Sequence, residues 1–317
     1  MKAPVTLQEA IIYFANSDNC IAYMVAKRWP NGVVCPTCGR NDVSYLANQK
    51  KWQCKSAHAK RQFSAKVGTI FEDSPLGLEK WLPATWIITS AKNGVSSCEI
   101  ARSLGVTQKT AWFMLHRIRL AMQSGSLMKL GGKGGAEVEA DETFIGGKAR
   151  NMHVNVKARR ITGTGTKDKV AVMGPLERGG EVRTVVVPSR KKPVMQAEVR
   201  KHVEVGSALY TDFLLSYEGL ASEYAHAVVD HAIEYVNGRV HTNCLENFWS
   251  ILKRGLSGTY VSVEPFHLFR YLDEQTFRYN NRKNMSDADR FAAAISKVAG
   301  KRLTYAEVTG KVGETAN

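Results

Sequence analysis

Asp141, Asp212 and Glu246 are the residues of this 317-residue chain whose type and setting best suit chemistry. They stand in "AEVEADETFIGG", "SALYTDFLLSYEGL" and "HTNCLENFWSILKRG". Three carboxylates converging at strand ends repel one another unless cations neutralise them. Two divalent ions about 4 Å apart would do so, and would polarise the attacking and leaving oxygens of a phosphoryl displacement. Oxygen ligands and a phosphate substrate favour Mg²⁺ for both positions. Lys253 lies two turns from Glu246 along one helix row, where an ammonium suits a phosphate. An aspartate at a strand end is also a common turn residue. Glu139 and Glu142 flank Asp141, so strand phase decides which of the three points inward.

A second set consists of softer ligands. Cys35-Pro-Thr-Cys38-Gly39 makes a tight knuckle, with Cys54 sixteen positions after Cys38 and His58 four further on. Three thiolates and an imidazole are a tetrahedral donor set for one structural Zn²⁺. Short strands "VSYL" and "KWQC" suggest a small zinc ribbon, which the metal would hold together for want of a core. The six cysteines, one close pair and the rest scattered, fit metal binding in a reducing compartment better than a disulfide framework.

The elements that must carry these residues can be read from periodicity. Leu245, Phe248, Trp249 and Leu252 form an apolar helical stripe, and Asn243, Glu246, Ser250 and Lys253 form a polar row beside it. Val138 and Ala140 alternate with Glu137, Glu139 and Asp141, as in a strand. "VAVMGPLERGGEVRTVVVP" reads as a β-hairpin about Arg178-Gly179-Gly180, "PVMQAEVRKHV" as a helix, and the segments ending at Asp212 and near Asp230 as strands. Strand, hairpin, helix, strand, strand, helix is the order of an RNase H-like α/β domain, in which the first and fourth strands are neighbours. The basic stretch 148–169 shows neither helical nor strand period and reads as a mobile cationic insertion.

Upstream, "SPLGLEKWLPATWIITSAKNG" predicts a helix capped by Ser74 with Pro75 at its start, bent or divided at Pro83. Ser97 caps a helix to Leu104, Gly105 turns the chain, and Thr107 caps the next helix, which is a helix-turn-helix pattern. Gln108, Lys109 and Thr110 then sit where side chains reach base edges, and Arg102, His116, Arg117 and Arg119 are candidates for phosphate contacts. "GSLMKLGGKGGAEVEA" reads as a linker. A net charge of +15 and a pI near 9.6 fit a polyanionic partner. A hydrophobic fraction of 44% excludes a disordered chain, and no apolar run reaches a membrane span of roughly 18–20 residues. With no signal-peptide pattern, a soluble cytoplasmic protein is the expectation.

The strings "ADETFIGGK", "YTD" ending at Asp212, "HTNCLENFWSILKRGLSGTY" and "RYLDEQTFRYNNR" resemble DDE transposases of bacterial insertion sequences, of the ISXO type with an N-terminal zinc ribbon. "VGTIFEDSPLGLEKWL" and "QKTAWFMLHRIRLAM" match the same group, so the resemblance runs from about Cys35 to Arg282. It implies catalytic acids at Asp141, Asp212 and Glu246, with Lys253 accompanying them and two catalytic Mg²⁺. Some relatives carry Asn as the third residue, which makes Asn243 a rival to Glu246. The paired CxxC usual in ribbons is replaced by "CKSAH", which sets His58 apart from the pattern.

The resemblance further implies a bacterial, nucleoid-associated homo-oligomer. It would bind terminal inverted repeats and target DNA, cleave at the repeats and transfer the freed 3′ ends. The domains expected are a zinc ribbon over 1–70, a helix-turn-helix domain over 71–130, an RNase H-like catalytic domain over 131–290 and a tail over 291–317. Two other readings stand beside this: a DNA-binding regulator whose α/β domain is inactive, and a metal-dependent nuclease without strand transfer.

Overall fold

The computed structural model describes residues 3–310 apart from 124, 126–127, 133–135, 148–151, 162, 164–167 and 230–238. Parts of the expected linker and of the basic stretch 148–169, and Asp230 at the end of the last expected strand, lie outside the described residues. Contacts divide the chain into two compact units, one of residues 1–123 with 283–317 and one of residues 124–282. No helix among the described residues is long and apolar enough to cross a membrane.

The first unit opens with two helices, α1 (Leu7–Phe14) and α2 (Ser17–Arg28). Thr6 and Glu9 close a reciprocal cap on α1, and Asn16 caps α2, so neither helix start leaves its first amides bare. A three-stranded antiparallel ribbon follows, made of β1 (Val43–Leu46), β2 (Lys51–Cys54) and β3 (Gln62–Phe63). Its core is aromatic: Trp52 lies 5.8 Å from Trp29, 5.0 Å from Tyr45 and 6.1 Å from Phe63 between ring centres.

Three helices carry the rest of this segment: α3 (Leu78–Ser90), α4 (Ser97–Leu104) and α5 (Gln108–Met122). α3 starts later than expected and is not capped by Ser74. Gly77 precedes the helix, and Ser74 instead accepts hydrogen bonds from the Leu76 amide and the Trp81 indole. Pro83 does not divide α3, because burial of nearly every neighbouring side chain outweighs the one amide that proline lacks. Ser96 rather than Ser97 caps α4, Gly105 turns in the left-handed region (φ 62°), and Thr107 caps α5 as expected.

Of the expected tail over 291–317, the described residues 291–310 are packed into the first unit. Helix α10 (Asp287–Ile295) places Phe291 against Phe14, Tyr23 and Trp86 at 5.6, 5.5 and 4.9 Å. Ala299 bridges to Thr69, and the Ile70 amide donates to Val298. Helix α11 (Tyr305–Thr309) closes on α5 through Tyr305 and Phe113.

The second unit is built on a five-stranded sheet of β4 (Glu137–Ile145), β5 (Val170–Glu177), β6 (Val185–Val187), β7 (Ala208–Asp212) and β8 (Ala225–Val229) in the order β6-β5-β4-β7-β8. β5 runs antiparallel to β4 and to β6, whereas β7 runs parallel to β4 and to β8. Alternation along β4 divides its side chains between two cores. Val138 and Ala140 join Met195 and Val199 of α7 (Lys192–His202) on one face. On the other, Val172 and Leu176 of β5 meet α8 (Asn243–Gly255) and α9 (Leu268–Asn280). Leu245, Phe248, Trp249 and Leu252 are the buried stripe of α8, and each contributes about 1.5–3 kcal/mol by leaving water. Within the basic stretch, residues Val154–Arg160 form a short helix, α6, contrary to the expectation of no regular structure. It buries no residue, so no apolar period could announce it.

Candidate active site and zinc ribbon

β4 and β7 pair in parallel only as far as Ala140 and Thr211, so Asp141 and Asp212 stand where that ladder ends. β4 itself continues to Ile145 against β5, so Asp141 lies within the strand rather than at its end. Oxygens of Asp141, Glu142 and Asp212 all lie within 4.8 Å of one another. Opposite ligands of an octahedral Mg²⁺ at 2.1 Å stand about 4.2 Å apart, so this acidic group fits such an ion with small side-chain adjustments. Burial first, then the charges of Asp212 and Glu142, push the Asp141 carboxyl up to about 8.

The three glutamates around Asp141 have distinct surroundings. Glu139 is fully buried, accepting from Arg178 Nε at 2.7 Å and from the Leu245 amide at 2.9 Å. Thr242, the residue before α8, provides no side-chain cap. A carboxylate from the sheet therefore caps the first turn of that helix. Arg178 also bonds Glu137 and the Arg239 and His241 carbonyls, and stacks on Tyr210. Glu142 accepts from Tyr217 Oη at 3.2 Å and pairs with Arg190 at 3.2 Å. Its place beside both aspartates is what sequence reasoning missed; the one signal was its adjacency to Asp141.

Helix α8 presents the expected polar row to solvent, with Asn243, Glu246, Ser250 and Lys253 all exposed. Glu246 accepts from Thr242 Oγ1 at 3.3 Å and stands outside the Asp141–Glu142–Asp212 group. Trp249, one turn on, donates its indole N–H to Asp141 Oδ2 at 3.1 Å.

Because folding here retains a proton on Asp141 that the unfolded chain releases near its ordinary value of 3.8, stability is full below about pH 4 and is lost as pH rises toward 8. In magnesium-free buffer the melting temperature of the second unit should fall across that window. Asp141→Asn should remove that part of the slope, and an unchanged slope would refute the assignment.

In the ribbon, Cys35, Cys38, Cys54 and His58 bring their ligand atoms together. Cys35 Sγ lies 3.5 Å from His58 Nε2, and Cys38 Sγ lies 3.6 Å from Cys54 Sγ. Tetrahedral Zn²⁺, with Zn–S about 2.3 Å and Zn–N about 2.05 Å, sets sulfurs about 3.8 Å apart and a sulfur–nitrogen pair about 3.6 Å apart. The donor set therefore fits zinc without rearrangement. His58 Nδ1 lies 2.6 Å from the Ala59 carbonyl, which can only accept, so Nδ1 carries a hydrogen and Nε2 is the nitrogen turned to the sulfurs. Burial pulls the Cys54 thiol upward, but hydrogen bonds from His58 and the Ser56 amide outweigh it and bring the thiol down to about 6, near the thiolate that zinc requires.

The candidate DNA-reading residues fall into two groups. Gln108 and Lys109 are exposed at the start of α5, with Thr110 half-buried beside them. Gln108 donates to Ser97 Oγ at 2.8 Å, which ties α5 to α4. Arg117 and Arg119, by contrast, are only 4% and 1% exposed, and His116 is fully buried. They are core residues rather than the expected phosphate contacts, because α5 packs against α3, α10 and α11. Arg117 donates to the Glu72 carbonyl and stacks on Trp81 and Phe113 at 5.5 and 5.3 Å. Arg117→Ala should thus cost the first unit about 2 kcal/mol or more, seen as a lower melting temperature. Wild-type melting together with weakened DNA binding would restore the phosphate role.

Residues 129–280 match the ISXO2-like transposase domain, and residues 15–59 match the transposase zinc-ribbon domain. An uncharacterized protein in transposable element ISH50 of Halobacterium salinarum is 28% identical over 255 residues, covering 76% of this chain and 84% of its own. An uncharacterized transposase-like protein of Haemophilus influenzae is 32% identical over 102 residues, 32% of this chain and 82% of its own. No solved structure gives a significant match. The chain belongs to the ISXO2-like transposase family, with a transposase zinc ribbon before its DDE domain.

Proposed function

We propose that this protein is an insertion-sequence transposase that binds the terminal inverted repeats of its element, cleaves DNA there and joins the freed 3′ ends to target DNA. The observation that supports this best is the convergence of Asp141 and Asp212 from adjacent parallel strands, in a chain of this family. We take the sheet to be RNase H-like, a reading supported by the antiparallel hairpin on one side of β4 and the parallel pair on the other.

Asp141 and Asp212, with Glu246 as third acid, would hold two Mg²⁺. Bound there, the ions would supply the positive charge that eases nucleophilic attack at phosphorus. Lys253, exposed two turns from Glu246, would steady the phosphodiester backbone. Gln108, Lys109 and Thr110 would read the repeat from the first turn of α5, and the net charge of +15 would draw the polyanion in. Cys35, Cys38, Cys54 and His58 would hold one Zn²⁺ that keeps the ribbon folded. A homo-oligomer would be the acting form on DNA.

Labelled terminal-repeat DNA, intact and pre-cleaved, tests the reading in Mg²⁺. Cleavage of the first and joining of the second to a target duplex are expected. Cleavage without joining would make the protein a nuclease, and binding without either reaction would make it a regulator. Binding should weaken steeply with salt, at a slope of about −0.9 for each phosphate neutralised.

A further inference from the structure

Trp249 has an environment that packing alone does not account for. Its ring is 4% exposed, and its indole N–H ends on Asp141 Oδ2 rather than on a backbone carbonyl. The ring lies on Gly174, which is the residue of β5 paired with Asp141 across the ladder. A Cβ at Gly174 would stand 2.8 Å from the far edge of the indole, with the Arg183 carbonyl at 3.2 Å on another side. The ring therefore sits this close to the sheet only because residue 174 has no side chain. Glu246 is on the same helix, one turn before Trp249.

We infer that Trp249 is a positioning residue, seated by Gly174, that fixes the Asp141 carboxylate for divalent-cation binding. This rests on the reading of Asp141 as a metal ligand. An indole N–H on one carboxylate oxygen removes the rotational freedom of that side chain and leaves the other oxygen for the ion. The same contact holds α8 against β4 beside Asp141, so one ring sets both a ligand and the helix carrying its proposed partner acid. Gly174 is required for the geometry although it carries no functional group.

The test measures Mn²⁺ binding to the zinc-loaded full chain by calorimetry or paramagnetic resonance, beside thermal melting. Trp249→Phe keeps a ring and loses the donor, and should weaken Mn²⁺ binding by about 10–100-fold. Gly174→Ala keeps the donor but lifts the ring, and should weaken binding similarly. The double variant should be no worse than the weaker single, because both changes break one contact. Leu252→Ala, one turn along the same buried stripe, should lower the melting temperature yet leave Mn²⁺ binding near the wild-type value. If Trp249→Phe and Gly174→Ala both bind Mn²⁺ as wild type does while Asp141→Asn loses it, the positioning role is wrong and the metal site stands. If Asp141→Asn also binds as wild type does, the metal reading itself fails. Should Trp249→Phe not fold, Gly174→Ala alone decides between these outcomes.

Discussion

Asp141→Asn and Asp212→Asn are each expected to lower cleavage of terminal-repeat DNA in Mg²⁺ by about a thousandfold or more, with repeat binding nearly intact. Each change removes a carboxyl group from the place where acids of the neighbouring strands β4 and β7 meet, whereas the residues proposed to read DNA lie on α5 in the other unit. The third acid is decided in the same assay. At 100° per residue, Glu246 lies about 60° around α8 from Trp249, which faces Asp141, while Asn243 lies about 120° away. Lys253 falls about 20° from Glu246 on that projection. Glu246 thus borders the sheet-facing stripe, and Asn243 stands further from it. Glu246→Gln should be inactive, and Asn243→Ala only impaired. Full activity in Glu246→Gln alongside an inactive Glu142→Gln would move the third acid onto β4 itself.

Cys54→Ser should release zinc and unfold the ribbon while the second unit stays folded. Structural zinc in small domains contributes roughly 10–16 kcal/mol of binding free energy, more than a three-stranded ribbon of this size can replace by burial. Cys54 also ends β2, whose Trp52 is the centre of the aromatic cluster, so the metal and the packing fail together. Metal analysis should find one zinc per wild-type chain and none in the variant, with the near-ultraviolet signal of Trp29 and Trp52 lost. His58→Ala should weaken zinc binding and leave three thiolates in place. Retention of zinc at full affinity by Cys54→Ser would refute the ligand set.

Much of this was legible in the residues. The α8 stripe, the hairpin and the grouping of the four ribbon ligands follow from period and spacing, because each depends on local geometry, whereas the pairing of the first and fourth sheet strands was expected from the order of the elements. Strand phase placed Asp141 and Glu139 on one face but gave no means of telling them apart. That depends on Arg178 and Leu245, which are distant in sequence. Arg117 and Arg119 look like surface cations in a basic helix. Their burial depends on Trp81 and Phe113, and on α10 and α11, which come from the other end of the chain. No periodicity in α5 records what covers it.

Phe291 completes an aromatic cluster whose other members, Phe14, Tyr23 and Trp86, are made long before it during synthesis. The ribosome must add all of residues 124–282 in between, which takes on the order of ten seconds. During that interval the apolar seat of α10 has no cover, and the helices around α5 lack their final support. A nascent or prematurely terminated chain ending before residue 283 would expose this seat and favour aggregation over repeat binding. Folding of the first unit would then be completed only after the second unit has been translated.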